Sequence, residues 1–393
     1  MAGSLDAFPL LVKLSGDIAD RAQSNGNDIL FTEQDGTTKL LHEIESFNGE
    51  LIAWVQLPHL SEKEDTDFYV YFGNPEAESQ QSIDRVFDPN TYAGVWHLSQ
   101  NPGTTQTDST QNSNDGTPTN IDSQDGAGEG KIGAAINFDG VDDYISISYK
   151  DIFTLPDALT MTAWIRLQGT PTSGDFFPIV KKRNSGSNSW QFLINDGRAL
   201  RVDLDSGLPS TIVGANSLSQ DHWYHAAATW DGSSVTIYLD GSIDGTGTHT
   251  GKHADTTDPV LIGWSPDNIT DTFDYFNGLL DHVTISSVAR TPEWITTEYR
   301  SQCACEDFLT VGDTETQTDS VVATPAAAPV ITSESSLTSP LMQALNSLYL
   351  LAYGRGPTFA EWLYWADRII NEEKTDFPEL LGAMQWQAGA ALQ

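Results

Sequence analysis

The segment HWYHAAATWDGSSVTIYLDGSIDG, residues 222–245, decides the fold of this chain. Alternate residues along 224–230 share one face of an extended strand, because successive side chains of a strand point to opposite sides. The pair Asp231-Gly232 then marks a turn, and apolar residues alternate again along 235–239. The pair Asp240-Gly241 marks a further turn, since both central positions of a tight hairpin need positive φ. The segment therefore predicts antiparallel strands joined by short turns.

The same pattern of short alternating runs recurs along the middle of the chain. Such runs occupy residues 159–167, 190–194, 200–205, 259–264 and 279–286. Many short strands with regular turn signals are typical of a sandwich of two antiparallel sheets. We therefore predict a mainly β protein whose central part is an antiparallel β-sandwich.

Three further segments differ from this central part in composition. Residues 1–91 contain five strand-like runs separated by Gly, Asn and Asp, which indicates an N-terminal β-domain. Residues 313–340 are rich in Thr, Ser, Ala and Pro without periodicity, as in an extended linker. Residues 341–393 show helical spacing of apolar residues and a T-x-x-E capping box at 358–361, which predicts a small helical module. Because so small a core is marginal alone, we expect this module to pack against the sandwich or a second copy.

The charge of the chain excludes two classes of partner. Lys and Arg total 19 against 55 Asp and Glu, which gives a net charge of −36. Nucleic-acid binding rests on clustered Lys and Arg, so no nucleic acid is expected. Anionic membrane surfaces attract positive charge for the same reason, so no membrane partner is expected. The charge suits a protein that stays soluble at high salt or works among divalent cations, as in marine or extracellular surroundings.

The sequence gives two further indications about where the protein works. No secretory signal is visible at the N-terminus, and no stretch reaches the roughly 18 apolar residues of a membrane span. We expect an extracellular or virion-surface location, reached through a removed signal, another export route or release by lysis. Cys303 and Cys305 are the only cysteines, so the fold does not depend on a disulfide framework. They either bridge each other in a strained ring or remain as free or intermolecular thiols.

Three parts of the chain resemble known families. The phrases AINFDGVDDYISI, LTMTAWIRL, HWYHAAATWDGSSVTIYLDG and YFNGLLDHVTISS occur in the order of a LamG-type, concanavalin A-like jelly roll, which we place at residues 92–312. Residues 8–75, with FPLLVKL, AWVQLP and YVYFGNP, resemble an uncharacterised β-domain family often fused just before such a jelly roll. The tail, with LNSLYLLAYGRGPTFAEWLYWADRII, is similar to a helical repeat of bacterial secreted and phage proteins.

The N-terminal domain departs from the family it resembles at its first strand. The family pattern usually begins with another strand before the FP segment, whereas this sequence begins almost at that segment. Either the sheet lacks the strand or another chain supplies it, because proteins usually cover an unpaired edge. This sheet edge and residues 341–393 are therefore the expected contacts of a homo-oligomer or larger assembly.

The stretch NFDGVDDYISI, residues 137–147, concentrates aspartates beside a turn. Its spacing is not that of an EF-hand loop, which needs alternating ligands, a glycine and a distant glutamate. The LamG resemblance implies that this turn approaches the last strand, so that Asp139, Asp142 or Asp143, with or without Asp281, would hold a structural calcium ion. The alternative is that Asp139-Gly140 makes a turn and the other aspartates face water.

The stretch GWSPDNITDTFDYFNG, residues 263–278, is the main candidate for ligand binding. It combines Trp264 and Tyr275 with Asp267 and Asp271. Sugar recognition commonly uses an aromatic platform beside carboxylate and amide groups, so the composition fits a glycan. The alternative is that Trp264 is a core residue at the end of a strand.

Trp190 is a further candidate for ligand binding. It follows the only dense basic run, residues 181–183, which an anionic glycan could use. The alternative is that the basic run is a solvated loop.

The sequence offers little support for catalysis. Glycoside hydrolysis needs two carboxylates about 5 to 9 Å apart. The strand-like runs of the sandwich carry apolar or hydroxyl residues where hydrolytic jelly rolls carry alternating acids. The one E-x-E pair in a strand-like run, Glu43 and Glu45, belongs to the N-terminal domain, and no G-x-S-x-G element is present. We therefore predict that the protein is not an enzyme.

These observations favour a non-catalytic, surface-exposed protein that adheres to or binds carbohydrate. Its partner would be a glycan or another cell-surface polymer, and a virion appendage or decoration protein is one form of this hypothesis. The first alternative is a structural filament or capsid-associated subunit that uses the jelly roll as a spacer. The second alternative is a glycan-active enzyme.

Overall fold

The computed structural model describes residues 3–122, 126–127, 129–184, 187–205, 209–252, 256–266, 274–303 and 308–315. Within these ranges the chain is mainly antiparallel β-sheet, as predicted. The helical module predicted for residues 341–393, and all but the first residues of the predicted linker, lie outside the described residues.

The N-terminal domain contains the five strands expected from its sequence and one short helix. They are β1 Leu5–Leu14, α1 Asp17–Arg21, β2 Leu30–Glu33, β3 His42–Phe47, β4 Leu51–Leu60 and β5 Phe68–Tyr71. Strand β4 lies between β1 and β3 in a three-stranded antiparallel sheet, and β2 pairs with β5. Residues 51–55 of β4 are all buried, so this strand is covered on both faces.

The remaining strands form the sandwich. They are β6 Tyr92–Trp96, β7 Gly116–Thr119, β8 Gly126–Ala127, β9 Ala135–Asp139, β10 Tyr144–Ile147, β11 Leu159–Leu167, β12 Phe177–Asn184, β13 Ser187–Ile194, β14 Ala199–Asp205, β15 Pro209–Ser217, β16 Trp223–Trp230, β17 Ser234–Leu239, β18 Ser242–Thr248, β19 Val260–Ile262, β20 Trp264–Ser265, β21 Asp274–Tyr275 and β22 Asn277–Ser286. A 3-10 turn, Asp151–Thr154, and helix α2, Pro292–Gln302, complete the described elements.

The sandwich consists of two large antiparallel sheets. The seven-stranded sheet has the order β15-β14-β13-β12-β19-β10-β7. The eight-stranded sheet has the order β18-β17-β16-β11-β22-β9-β8, and β6 also pairs with β22. Strands β16 and β17 form the hairpin read from the sequence, with Trp230 opposite Val235. Asp240 and Gly241 have φ angles of 50° and 72°, as the turn into β18 requires.

The inward faces of the two sheets enclose the main core. Alternate residues of the decisive hairpin, such as Ala226, Ala228 and Trp230, belong to this cluster together with Val235 and Ile237. The residues between them on the same strands point to the opposite face of the eight-stranded sheet, as the two-residue period of a strand dictates.

The outer face of the eight-stranded sheet is covered by the N-terminal domain. Trp164, Ala227 and Tyr238 on this face lie in the same buried cluster as Phe8 and Trp54 of the N-terminal sheet. Residues 1–314 accordingly form one compact unit. The N-terminal domain therefore shares a core with the sandwich.

Helix α2 closes this second core. Thr291 caps its N-terminus by accepting a hydrogen bond from the backbone N–H of Trp294, and Pro292 occupies the first turn. The ring of Trp294 meets the ring of Phe8 edge-on, with their centroids 5.1 Å apart. The helix thus helps hold β1 on the sandwich.

Two smaller questions raised by the sequence concern the cysteines and membrane spans. Cys303, directly after α2, is disulfide-bonded, whereas Cys305 lies outside the described residues. Within the described part of the chain, no helix has the length and apolar content needed to cross a bilayer.

Candidate ligand-binding site

The acidic turn, residues 139–143, connects β9 of one sheet to β10 of the other at the rim of the sandwich. Asp139 Oδ1 accepts hydrogen bonds from the backbone N–H groups of Val141 and Asp142, at 2.7 and 3.3 Å. Asp143 Oδ2 accepts one from the N–H of Asp139 at 2.9 Å. One carboxylate oxygen from each of Asp139, Asp142 and Asp143 lies within 4.8 Å of the others. The turn therefore concentrates negative charge at one point.

This arrangement fits a divalent cation such as calcium. Carboxylates held close together repel one another, and a bound cation would offset that repulsion. Calcium prefers oxygen ligands from carboxylates and backbone carbonyls in flexible geometry. Asp139 and Asp142 are exposed, so water could complete the coordination, while Asp143 is buried. Exposed acidic groups also occur without an ion, so calcium binding stays a prediction.

Asn277, the first residue of β22, fixes the position of the acidic turn. Its Nδ2 donates a hydrogen bond to the carbonyl oxygen of Asp139 at 3.0 Å, and the two residues are opposite each other in the β9–β22 pairing. Gly140 adopts a φ of 77°, and a Cβ there would lie 2.6 Å from Asn277 Nδ2. Only glycine fits this approach without displacing Asn277.

An aromatic cluster, made of Tyr144, Trp264 and Tyr275, lies beside the acidic turn. The rings of Trp264 and Tyr275 are stacked, with centroids 6.0 Å apart and an interplanar angle of 15°. Tyr144, the first residue of β10, contacts Trp264 at a centroid distance of 4.6 Å. All three side chains are partly exposed. The short pairing of β20 with β21 sets Trp264 opposite Tyr275 and so produces the stack.

The acidic turn and the aromatic cluster together form one candidate site. Burial raises the pKa of the Tyr275 hydroxyl, and the negative charges of Asp142 and Asp139 raise it further. The Tyr275 hydroxyl therefore remains protonated at neutral pH and can donate a hydrogen bond. Val141, at the tip of the acidic turn, is 66% exposed and adds an apolar contact surface. The site thus combines aromatic faces, carboxylates and a hydroxyl donor.

Two family profiles match parts of the chain. The profile described as "Concanavalin A-like lectin/glucanases superfamily", of the laminin G type, matches residues 139–296. Residues 139–296 are a concanavalin A-like domain. The profile "Domain of unknown function (DUF2341)" matches residues 25–92, so a DUF2341 domain precedes the concanavalin A-like domain. Both resemblances read from the sequence are confirmed, while that of the tail stays a prediction.

The solved structures that are similar to this chain are remote from it in sequence. The binding domain of Paraclostridial Mosquitocidal Protein 1 is 15% identical, with a TM-score of 0.44, over 54% of this chain and 52% of that one. Domain 4 of AbnA, a GH43 extracellular arabinanase from Geobacillus stearothermophilus solved with arabinotriose, is 19% identical, with a TM-score of 0.41, over 53% and 98%. The receptor-binding domain of botulinum neurotoxin mosaic serotype C/D is 14% identical, with a TM-score of 0.42, over 54% and 51%.

This chain covers about half the length of the Paraclostridial Mosquitocidal Protein 1 structure and of the botulinum neurotoxin structure, at 52% and 51%. No curated protein matches the chain in sequence.

The prediction that Asp281 joins the aspartates of the turn is wrong. Asp281 lies further along β22 than Asn277, about 13 Å at the usual rise per residue of a strand. Its side chain is fully buried, and Oδ2 accepts hydrogen bonds from the backbone N–H groups of Lys131 and Ile132 at 2.7 and 2.8 Å. Asp281 and Asn277 belong to the same strand, but only Asn277 contacts the acidic turn, and Asp281 binds the backbone of residues 131 and 132 instead.

The prediction that Trp190 binds a ligand is also wrong. Its indole is fully buried in the main core, and Nε1 donates a hydrogen bond to the carbonyl oxygen of Phe153. Lys181 and Lys182, expected either to bind an anionic glycan or to face water, are fully buried as well. Lys181 Nζ donates to Ser265 Oγ at 2.6 Å, so this charge is directed into the fold.

Of the other predicted residues, the fold brings five together, and two are not among the described residues. Asp139, Asp142, Asp143, Trp264 and Tyr275 meet at the rim of the concanavalin A-like domain. Asp267 and Asp271 lie outside the described residues. Sequence reasoning missed Tyr144, although its place was readable. Ile145 and Ile147 are the inward residues of β10, so the alternation directs Tyr144 outward.

Proposed function

We propose that the protein is a non-catalytic carbohydrate-binding protein whose ligand binds to the acidic turn and the aromatic cluster. The observation that carries this proposal is the stack of Trp264 on Tyr275 beside three converging carboxylates. Its occurrence in a domain of the lectin and glucanase superfamily adds support.

The chemistry of the site suits a sugar better than an apolar ligand. The C–H face of a sugar ring packs against aromatic rings, which provide broad apolar contact with little loss of side-chain entropy. The sugar hydroxyls can donate hydrogen bonds to Asp139 or Asp142 and accept one from Tyr275. A purely apolar ligand would leave the carboxylates without partners, and unpaired polar groups weaken binding.

We further propose that the acidic turn holds calcium. The ion would neutralise part of the charge of Asp139, Asp142 and Asp143, and it would fix the turn against the aromatic cluster. Calcium would then act as a structural ion that shapes the sugar site. EDTA should weaken glycan binding, and added calcium should restore it.

A binding role without turnover is supported by where the acids lie. Glu43 and Glu45, the pair considered for hydrolysis, have side chains only 5% and 1% exposed beneath the N-terminal sheet. A substrate could not reach them without separating that sheet from the sandwich. The exposed acids Asp139 and Asp142 belong to the acidic turn proposed to hold calcium, so a bound ion would occupy their carboxylates.

The binding proposal is tested with Tyr275→Ala and Trp264→Ala on a glycan array, followed by calorimetric titration with the best ligand. Each substitution removes one ring of the stack, so we expect affinity to fall at least about tenfold. Tyr69→Ala is the matched control, because Tyr69 is an exposed tyrosine of β5 in the N-terminal domain, with 49% exposure. Unchanged affinity in both site variants would refute the proposed site.

We also propose that the chain works as an adhesion protein at a cell or virion surface, in an assembly formed through residues 341–393 or the N-terminal sheet edge. Light scattering of the full chain and of residues 1–314, in calcium and in EDTA, tests the assembly. Loss of oligomers in the shorter chain would support the role of the tail. Ordered polymers without any sugar binding would favour the filament alternative.

A further inference from the structure

Five buried titratable side chains meet where the N-terminal sheet covers the sandwich. Glu43 and Glu45 extend from β3, His97 follows β6, and Asp281 and His282 belong to β22. Asp281 is fully buried and His282 is 2% exposed. This joint cluster is separate from the ligand-binding site at the rim, and nothing in the proposed function uses it.

Only one proton fits between the facing Nδ1 atoms of His97 and His282. Their Nδ1 atoms lie 3.0 Å apart, so one ring must donate and the other must accept. His97 Nε2 also lies 2.7 Å from Glu43 Oε1. Burial alone would lower the pKa of His97, but the charge of Glu45, whenever that carboxyl is ionised, and the hydrogen-bonded Glu43 carboxylate raise it. Burial, together with the nearby His97, holds the pKa of His282 well below its usual range, so His282 is the acceptor.

The carboxyls of Glu45 and Asp281 each have one oxygen without a hydrogen-bond partner among the described residues. Glu45 Oε2 accepts a hydrogen bond from Trp54 Nε1 at 2.8 Å, whereas Glu45 Oε1 is buried and has none. Asp281 Oδ2 accepts two backbone N–H groups, whereas Asp281 Oδ1 is buried and has none. Burying a carboxylate with one oxygen unpaired costs more than burying the neutral carboxyl, so this geometry favours the protonated acids. Burial accordingly raises the pKa of both carboxyls.

The lysines nearest the joint cluster direct their charges elsewhere. Lys13 Nζ, from β1, donates to the carbonyl oxygen of Lys131 at 3.2 Å. Lys131 Nζ donates to the carbonyl oxygen of Cys303 at 2.9 Å and lies 4.8 Å from the ring centre of Trp164. His225 of β16, which also acts on His282, faces Glu298 of α2 at 3.3 Å. His42 of β3 acts on Glu43. Lys13 lowers the pKa of Glu45 less than His97 does, so His97 is the main positive charge that faces the carboxyls.

We propose that the joint cluster is a proton-dependent joint, which holds the N-terminal sheet on the sandwich while Glu45 and Asp281 are protonated and loosens when they ionise. Ionised Glu45 and Asp281 would place two more negative charges beside Glu43, with His97 as the main positive charge to offset them. The repulsion acts between β3 and β22, which belong to different domains. The joint would thus couple the DUF2341 domain to the pH of its surroundings.

The direction of the effect follows from the protons bound in each state. Glu45 and Asp281 have raised pKa values when the joint is closed, so closing takes up protons and is favoured at lower pH. This stabilisation is lost as the pH rises through the raised values. His282 has a lowered pKa and acts in the opposite sense, but only below its free value of about 6.5. Above neutrality, the direction is therefore unambiguous.

Hydrogen exchange of the full chain from pH 6, above the ordinary carboxyl range, to pH 9 tests the joint. The amides of Lys131 and Ile132 report it directly, because they donate to Asp281. After correction for the intrinsic pH dependence of exchange, we expect their protection to fall with rising pH, by up to about tenfold per pH unit for each proton released. A protection factor that stays constant over this range would overturn the proposal.

The double variant Glu45→Gln with Asp281→Asn removes both ionisations and should flatten the profile. Asp65→Asn is the matched control, because Asp65 is an exposed acid between β4 and β5, and it should keep the wild-type slope. A double variant with the wild-type slope would refute the role of these carboxyls. If the double variant fails to fold, infrared spectra of the wild type decide. A protonated-carboxyl C=O band must be present at pH 6 and fade in step with the protection as the pH rises, and its absence would refute the proposal.

Discussion

Replacing Trp190 by alanine would test how the concanavalin A-like domain uses its aromatic residues. A surface platform for sugars would lose binding and keep its stability. The fold instead buries the indole completely in the main core, where Nε1 donates to the carbonyl oxygen of Phe153 at 3.1 Å. We therefore expect Trp190→Ala to act on stability.

The size of the effect follows from what the substitution removes. Truncating a buried Trp to Ala typically costs about 3–5 kcal/mol through lost transfer free energy and the cavity left behind. The carbonyl oxygen of Phe153 would also lose its donor in a buried place, which costs about 1–3 kcal/mol unless water enters. We expect the free energy of unfolding to fall by about 5 kcal/mol. In a domain of this size, that corresponds to a melting temperature lower by roughly 10–20 °C.

Urea unfolding followed by far-ultraviolet circular dichroism measures this change. Trp264→Ala is the matched control. Because Trp264 at the rim is already partly exposed to solvent, its truncation should lower the free energy of unfolding by less than about 2 kcal/mol. The two variants should therefore separate, with Trp190→Ala losing stability and Trp264→Ala losing sugar binding. Trp190→Ala with wild-type stability and no sugar binding would refute the reasoning and restore the surface role of this residue.

Three further predictions concern a backbone contact, a buried carboxylate and the cation. Gly278→Ala should lower the free energy of unfolding in urea by more than about 2 kcal/mol, because the added Cβ would meet the Arg166 carbonyl oxygen. Gly312→Ala is the control and should leave the free energy of unfolding nearly unchanged, because an added Cβ there meets open space. Asp108→Asn should cost about 1–3 kcal/mol in the same assay, because the Asp108 carboxylate accepts hydrogen bonds from three backbone N–H groups and one hydroxyl, and an amide nitrogen cannot accept them. Calcium at a hundred times its dissociation constant should stabilise the wild type by about 2.7 kcal/mol in thermal unfolding. Asp142→Asn should weaken that response, and a wild type indifferent to both calcium and EDTA would contradict the cation site.

The strands were predictable because their signals are local. The five runs of the N-terminal domain and the β16–β17 hairpin could be read from alternation and from Asp-Gly pairs. Positive φ at Asp240 and Gly241 is a property of two adjacent residues, so no distant contact is needed to foresee it. Helix α2 was not foreseen, although Thr291 and Pro292 carry the usual signals of a helix start.

The candidate site was predictable only in pieces. The acidic turn and the stretch around Trp264 each stood out in composition, but they are more than a hundred residues apart in sequence. The pairing of β9 with β22 and the contact of Tyr144 with Trp264 bring them together. Strand order depends on which sheets pack against each other, and no short segment encodes that.

By itself, the sequence determined which residues alternate, where the chain turns and that its net charge is strongly negative. Only the tertiary structure decided which face of each strand meets water. Alternation separates two faces of a strand but does not say what covers them. The N-terminal sheet covers the outer face of the eight-stranded sheet, so the side chains of Glu45 and Asp281 are buried, while Trp264 and Tyr275 at the rim are partly exposed.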